Sequence, residues 1–551
     1  MYKGNMKNIS RYFTLAAGAL MLMGTVSSCI DETFPTNVAT SEQLGSSAKA
    51  TEALLWAMPA YLNNFNSLGQ ASGDERHYDW GYGSMIHVRD VMSQDMPVIE
   101  SNYDQYYYWE VDKYLGEEYV FASVIWRYYY KQIQTANNLI GAIDEESASD
   151  TQLGYLAMGC AFRALAYLDA AQMIEFKKNA MVPSNNGSND VEGLTIPIIT
   201  NETSEEVARN NPRVSHDEMV KFILSDLDKA EQYISNVSRT SKTLPDLAAV
   251  YGLKARLYLW DEDYANAEKY AHQAIALGKN VPMSQSEWLD PISGFNNLAT
   301  SSWIWGSQTT KEDEVVQTGI INWTSWMCPE TSYGYAGAGP MSMIDAKLYS
   351  QISDSDWRKL AFLAPSDSPL FGQNQLVEAG DNSLNAYYDD PDAYAYVGIK
   401  FRANAGNLSD YATGSASAFP IMRIEEMYFI EAEAAAHQDM THGQALLEQF
   451  MKQYRYASYT CNAKNQESLI NEILLQKRVE FWGEGLLFFD YKRLNLSVTR
   501  DYEGSNWYPE SAMNTEGRPA WMNICIPRTE KDNNTAISGF ENADPSAVYG
   551  N

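Results

Sequence analysis

The sequence predicts a mainly α-helical protein, a scaffold of tetratricopeptide-like helix pairs with a long irregular, loop-rich insert. Three observations carry that prediction. Apolar residues recur at helical spacing through most of the first half, for example Leu153, Leu156, Ala157, Cys160, Ala161, Ala164, Tyr167 and Leu168. Between Leu247 and Leu277, the residues Tyr251, Ala255, Tyr258, Ala267, Ala271 and Ala274 fall where a tetratricopeptide repeat keeps its large and small packing positions. From about Gly278 to Ala418 the helical period gives way to Gly, Ser, Asn, Asp and Trp, and an ordered stretch of that length is usually functional.

The elements follow in order. Lys3, Lys7 and Arg11 precede an apolar run, Phe13 to Val26, and the small-residue sequence Val26-Ser27-Ser28-Cys29. This three-part pattern predicts a signal peptide over 1–28, too short to span a membrane as a helix. Its ending resembles a bacterial lipobox, which would lipidate Cys29 and anchor the chain to a membrane without crossing it. Residues 29–45 are polar and aperiodic and read as a flexible tether. A single domain is expected over 46–551, with helical repeats over about 46–277 and 419–500 and the insert at about 278–418. Helices are expected at Ala48–Tyr61, which Pro59 interrupts or ends, and at Tyr119–Ile143, Thr151–Ile174 and Ser215–Ile234. Ser215 and Glu218 have the spacing of a capping box. Asp261 to Tyr264 forms the turn of the 247–277 unit, and Arg423–His437 with Ala445–Tyr454 forms a similar pair. Within the insert, Ser301–Ser307 is strand-like, so at least one of Trp303 and Trp305 reads as core.

Composition narrows the chemistry. The formal net charge of −31 repels phosphate backbones, so no nucleic-acid partner is expected. With Cys29 set aside, four widely spaced cysteines make neither a disulfide framework nor a zinc site. There is no His-Glu-x-x-His, no phosphate-binding loop and no Gly-x-Ser-x-Gly, so neither a cofactor nor a metal is expected. Asp389, Asp390 and Asp392 read as a solvated acidic turn. Tyrosine is abundant, 37 residues against 18 Phe and 14 Trp, and its apolar face and polar edge suit amphipathic ligands.

The C-terminal third carries the most specific pattern. Arg478-Val479-Glu480-Phe481-Trp482-Gly483-Glu484-Gly485, followed by Phe488, Asp490 and Arg493, resembles the Arg-x-x-Glu … Glu-Gly … Asp-x-x-Arg run of the SusD/RagB family of surface glycan-binding lipoproteins. Arg423–Ala434, Ile524–Glu530, Pro212-Arg213 with Asp226-Leu227, and Lys254-Ala255-Arg256 agree with the same family. Leu486 and Cys525 depart from it, standing where the family prefers His and Pro. Asp31 and Glu32, just after the lipobox cysteine, look like the surface-export tag of Bacteroidetes lipoproteins. The resemblance implies a lipid-anchored protein on the cell-surface side of the outer membrane. It would capture oligosaccharide or polysaccharide and deliver it to a TonB-dependent outer-membrane transporter, without turnover. A peptide-binding member of the family and a surface glycosidase are the alternatives. Glu480 and Glu484 stand one helical turn apart as a glycosidase pair would, but nearby Arg and Lys would hold both ionised.

Sugar binding calls for flat ring faces beside groups that reach hydroxyls. Family members take such rings from an early loop and from the mid-chain insert. Here those places hold His77-Tyr78-Asp79-Trp80-Gly81-Tyr82-Gly83 and Asn322-Trp323-Thr324-Ser325-Trp326 with Tyr333-Gly334-Tyr335. Trp80, Trp323 and Trp326 are the first candidates, then Tyr82, Tyr333 and Tyr335, with Trp288 as a further one. Arg76 and Asn322 would bond hydroxyls.

Overall fold

Most of the long helices begin where the sequence supplies an acceptor for free backbone N–H groups. The structure, a computed structural model, describes residues 48–185, 187–377 and 382–549. Its principal helices in the first half are α1 (Ala48–Tyr61), α2 (Tyr82–Val91), α3 (Val120–Gly141), α4 (Asp150–Ile174), α5 (His216–Tyr233), α6 (Leu247–Trp260) and α7 (Tyr264–Ala276). Later come α8 (Ile424–Gln438), α9 (Met440–Tyr454), α10 (Gln466–Glu480), α11 (Leu487–Arg493) and α12 (Arg528–Asn533). Ser149 and Ser215 open α4 and α5 with reciprocal capping boxes, the second the Ser215–Glu218 pair expected from spacing. Asp246, Asp263 and Asp439 cap α6, α7 and α9. Pro59 sits inside α1, which runs on to Tyr61.

The helices pack as consecutive antiparallel pairs, α3 on α4, α4 on α5, α6 on α7 and α8 on α9. α7 also lies against α8, so the repeats read at the two ends of the chain form one stack. Small residues allow it: Ala267, Ala271 and Ala274 are buried on α7, and a Cβ at Gly443 would come within 2.5 Å of the Ala436 backbone. Tyr264 stacks on His437 at 3.9 Å across the α7–α8 contact.

Among the described residues the insert holds one strand, β1 (Trp303–Gln308), and it pairs antiparallel with β2 (Ala418–Arg423). β1 is the strand expected, and Trp303 and Trp305 are fully buried. β2 falls where the insert was expected to give way to helical repeats at about 418, with no strand predicted. Its six residues are all buried, so no alternation announces a strand, and Pro420 argues against one. A two-stranded ribbon tolerates that proline because one of its sides needs no partner. The remainder of the insert folds as short helical turns, among them Trp323–Met327, Tyr335–Ala338 and Ser383–Tyr388.

The C-terminal run ties insert to scaffold. Glu480, fully buried, meets Arg455 at 2.6 Å, Arg358 at 2.9 Å and Arg423 at 3.3 Å. Glu484 meets Lys400 at 2.6 Å and Arg423 at 2.8 Å. Arg478 reaches Asp95 at 2.5 Å, and the Trp482 indole N–H donates to the Asp95 carbonyl at 2.9 Å. Most of these partners are remote in sequence, so the charges of this run join separate elements far more than successive turns of one helix. The leader, Cys29 and the tether lie outside the described residues. Among the described residues no helix is long and apolar enough to cross a membrane.

Candidate functional site

The two loops singled out by sequence do meet. Trp80 lies edge-on to Trp323 with centroids 6.4 Å apart, and Trp326 stacks on Tyr335 at 4.2 Å. Their indole faces, however, are not open. Trp80, Trp323 and Trp326 are each 3% exposed or less. Trp323 is stacked on Phe419 at 4.8 Å, and Trp326 is flanked by Tyr106 at 4.9 Å. The glycines that suggested loop tips are there for close packing. A Cβ at Gly83 would stand 2.4 Å from the Trp80 ring and 3.1 Å from that of Trp323. Gly81, at φ +89°, lets Tyr82 N–H donate to the Leu62 carbonyl at 2.7 Å, and a Cβ there would strike that oxygen at 2.3 Å.

The other candidates divide. Tyr82 is buried, and its hydroxyl donates to Asp169 at 2.8 Å beside Arg89. Trp288 is also core, its ring facing Lys400, Arg423 and Arg455 at about 5 Å as part of the buried charge cluster. Asn322 caps the helix Trp323–Met327 by accepting the Ser325 N–H at 3.0 Å, so its amide is committed and is not free for a hydroxyl. Tyr333 is half-buried and turns toward Tyr411 and the 407–414 loop, away from the Tyr335 ring. The expectation of open ring faces is thus corrected for Trp80, Tyr82, Trp288, Trp323, Trp326 and Tyr335. Arg76 stays exposed, and among the described residues its side chain has no hydrogen bond or ion pair. Tyr335 is buried at 7% exposure, its hydroxyl hydrogen-bonded to half-buried His77 Nδ1, and burial pushes its pKa up to about 12.

Sequence reading missed the exposed rings. Residues 103–119 hold Tyr103, Tyr106, Tyr107, Tyr108, Trp109, Tyr114 and Tyr119, six of the 37 tyrosines. Tyr106 and Trp109 point inward onto Trp326, Tyr78 and Phe121 and are buried. The rest face out: Tyr103 is 61% exposed, Tyr108 43%, Tyr114 39% and Tyr119 38%. They form a row. Tyr508 lies 6.4 Å from Tyr107, Tyr107 lies 5.4 Å from Tyr108, Tyr108 5.1 Å from Tyr114, and Tyr114 5.5 Å from Tyr119. Tyr108 rests on buried Phe121 at 5.3 Å, so the row is mounted on the inner aromatic layer. The signal available in the sequence was tyrosine density without helical period.

Paired carboxylates do not make a hydrolytic site here. Burial would raise the Glu480 and Glu484 carboxyls, but Arg455, Arg358 and Arg423 on the first, and Arg423 and Lys400 on the second, outweigh it and hold both below the usual carboxylate range. Neither can supply a proton near neutrality. Beside the tyrosine row, Asp104 and Glu110 share a hydrogen bond, and burial first and foremost raises both. Carboxyls in direct contact leave no room for a glycosidic bond, which needs about 5 Å or more between them. Among the described residues no group of three or more His, Cys, Asp or Glu is placed to hold a metal ion.

Known proteins resemble the chain at two levels. Residues 258–537 match the model of the SusD family, and residues 49–259 match one described as starch-binding associating with outer membrane. Among solved structures, a SusD-like carbohydrate binding protein from Bacteroides vulgatus superposes with a TM-score of 0.67 at 22% identity, covering 89% of this chain and 96% of that one. A SusD superfamily protein from Bacteroides thetaiotaomicron gives 0.63 at 18% identity, covering 89% and 98%. The surface glycan-binding protein A of Bacteroides thetaiotaomicron gives 0.59 at 14% identity, covering 90% and 98%. At these identities the likeness is one of fold. No curated protein matches the chain.

Proposed function

The chain belongs to the SusD family, and we propose that it is a cell-surface protein that captures neutral oligosaccharide or polysaccharide on the tyrosine row and delivers it to a TonB-dependent outer-membrane transporter. The observation that carries the reading is the row itself, rings packed edge to face at 5–6 Å steps along the surface, with Tyr108, Tyr114 and Tyr119 each more than a third exposed. Ring faces stack on the C–H faces of sugars, while phenolic hydroxyls and the nearby Arg76 guanidinium reach sugar hydroxyls. Glu510 stands by the Tyr508 end of the row and the whole chain carries −31, so uronic-acid or sulfated polymers are disfavoured. Binding is without turnover. A peptide ligand would want unpaired backbone groups along a cleft, and the row offers rings in their place.

The reading takes residues 1–28 as a signal peptide, Cys29 as the lipidated anchor, 29–45 as a tether and 46–551 as the single binding domain. A Cys29→Ala variant should be released from the outer membrane, which fractionation would show. The central test is affinity electrophoresis of the protein lacking residues 1–29 through gels containing starch, xylan, mannan or polygalacturonate. A neutral polymer should retard it and polygalacturonate should not. The Tyr108→Ala, Tyr114→Ala double variant should run as in an empty gel. Free migration of the unmodified protein in every neutral polymer would end the proposal.

A further inference from the structure

The row does not stop at Tyr119. That residue caps α3, and Trp126, Tyr130, Gln134, Asn137 and Gly141 follow it at helical intervals, within about 80° of arc at 3.6 residues per turn. This face of α3 floors a groove of ≈ 860 Å³, prolonged toward Arg127 and Thr529 by a further ≈ 310 Å³. One wall is α12, and that wall is tied to the end of the tyrosine row. Arg528 N–H donates to the Glu117 carbonyl at 3.1 Å, Arg528 pairs with Glu118 at 2.7 Å, and Lys531 pairs with Glu117 at 2.7 Å. The groove therefore opens beside the residues that immediately precede Tyr119.

Its chemistry repeats that of the row in recessed form. Trp126 and Tyr130 lie 4.5 Å apart at 34°, tilted against each other, so that the half-buried Tyr130 ring lines the floor and Trp126, 6% exposed, supports it from beneath. Gln134, Asn138 and Asn201 are exposed at its edge, and among the described residues their amides make no hydrogen bond. Amides donate and accept at once, which matches hydroxyls better than either charge would. The charged lining groups are largely spent. Arg209 pairs with Glu205 at 2.6 Å, Arg127 and Lys131 donate to the carbonyls of Leu68 and Ser67, and half-buried Glu530 accepts from Asn534 at 3.1 Å.

We infer that this groove is a second binding segment in line with the tyrosine row, so that the cargo is a long, linear, neutral polysaccharide gripped at two places on one track. α3 alone, 22 residues long, extends the track by about 33 Å. The inference rests on the glycan reading above. Two weak segments joined by one polymer bind as an intramolecular pair, so affinity rises with chain length beyond what either segment gives.

The test uses the protein lacking residues 1–29, the neutral polysaccharide that retards it, and oligosaccharides of three to five sugars cut from that polymer, with titration calorimetry as the readout. Gln134→Ala with Asn138→Ala removes two exposed, uncommitted amides, and an unchanged melting curve confirms folding. Trp126→Ala is the second variant. The groove variants should lose about tenfold in affinity for the polymer and keep the affinity for short oligosaccharides. Tyr108→Ala with Tyr114→Ala should lose both. Polymer affinity equal to that of the unmodified protein in the groove variants, with the tyrosine variant still impaired, would overturn the groove and leave the row standing. No binding of any neutral polysaccharide by the unmodified protein would overturn both.

Discussion

Trp80, Trp323 and Trp326 on one side, and Tyr107, Tyr108, Tyr114 and Tyr119 on the other, lie within two or three ring layers of each other. The first group is sealed; in the second Tyr108, Tyr114 and Tyr119 are open to solvent and Tyr107 is half-buried. Both stand in aperiodic, polar-looking segments rich in aromatics. What separates them is their neighbours. The tryptophans sit beside glycines whose missing Cβ atoms are filled by rings and carbonyls, whereas the tyrosines are interleaved with Asp, Glu, Lys and Gln. A glycine beside a large ring marks close packing at Gly81 and Gly83, whereas a carboxylate neighbour does not decide exposure, since Trp80 follows Asp79 and Trp109 precedes Glu110 and both rings are buried.

Substitutions can break that contrast. Trp326→Ala should cost about 3–5 kcal/mol, because the ring is 2% exposed and stacks on Tyr335, and urea unfolding would measure it. A loss under about 1 kcal/mol would mean the inner layer is not core. Gly83→Ala should cost about 1–3 kcal/mol by the same measurement, since its Cβ would press on the Trp80 ring at 2.4 Å. Tyr108→Ala and Tyr114→Ala should each leave stability within about 0.5 kcal/mol while weakening glycan binding. A large stability loss there would make the row structural after all.

The histidines sharpen the contrast at the finest scale. His87 lies in the inner layer, 4.4 Å from Tyr106, and burial pushes its pKa down to about 3. His77, at the rim, is lowered by burial to a lesser degree, with Glu75 opposing. Both folded-state values lie under the unfolded 6.5, so the stability they contribute is complete above pH 6.5 and declines as pH falls beneath it. Proton NMR should show His77 titrating below pH 6.5 and His87 still neutral at about pH 4. Equal midpoints for the two would erase the layer distinction.

Much of the scaffold was legible because its determinants are local. The Ser215–Glu218 capping box and the alanine spacing of 247–277 fix α5, α6 and α7 from a few adjacent residues. β2 was not, since a fully buried strand with Pro420 in it carries no period. The site was legible only in outline. The two loops singled out from sequence do converge, but as a buried inner layer, because exposure depends on what other segments deliver. Phe419 covers Trp323 and Tyr106 covers Trp326, and both come from elsewhere in the chain. Asn322 shows the same limit in miniature: Asn-x-x-Ser ahead of a short helix is a cap signature, and it outweighs the polar-loop reading.

The contacts of the C-terminal run bear on the order in which the protein can be completed. Arg478 and Trp482 close on Asp95 across 383 and 387 residues of chain. Arg500, fully buried, donates to the carbonyls of Ser93 and Val91 across 407 and 409 residues. Several carbonyls and carboxylates of segment 90–95 thus gain their partners only once the last fifth of the sequence is present. Closing loops of that length is slow. A ribosome-bound or translocating chain therefore carries an unfinished α2 corner until nearly its whole length is available, and a protein synthesised from one end is kept loose until the other arrives.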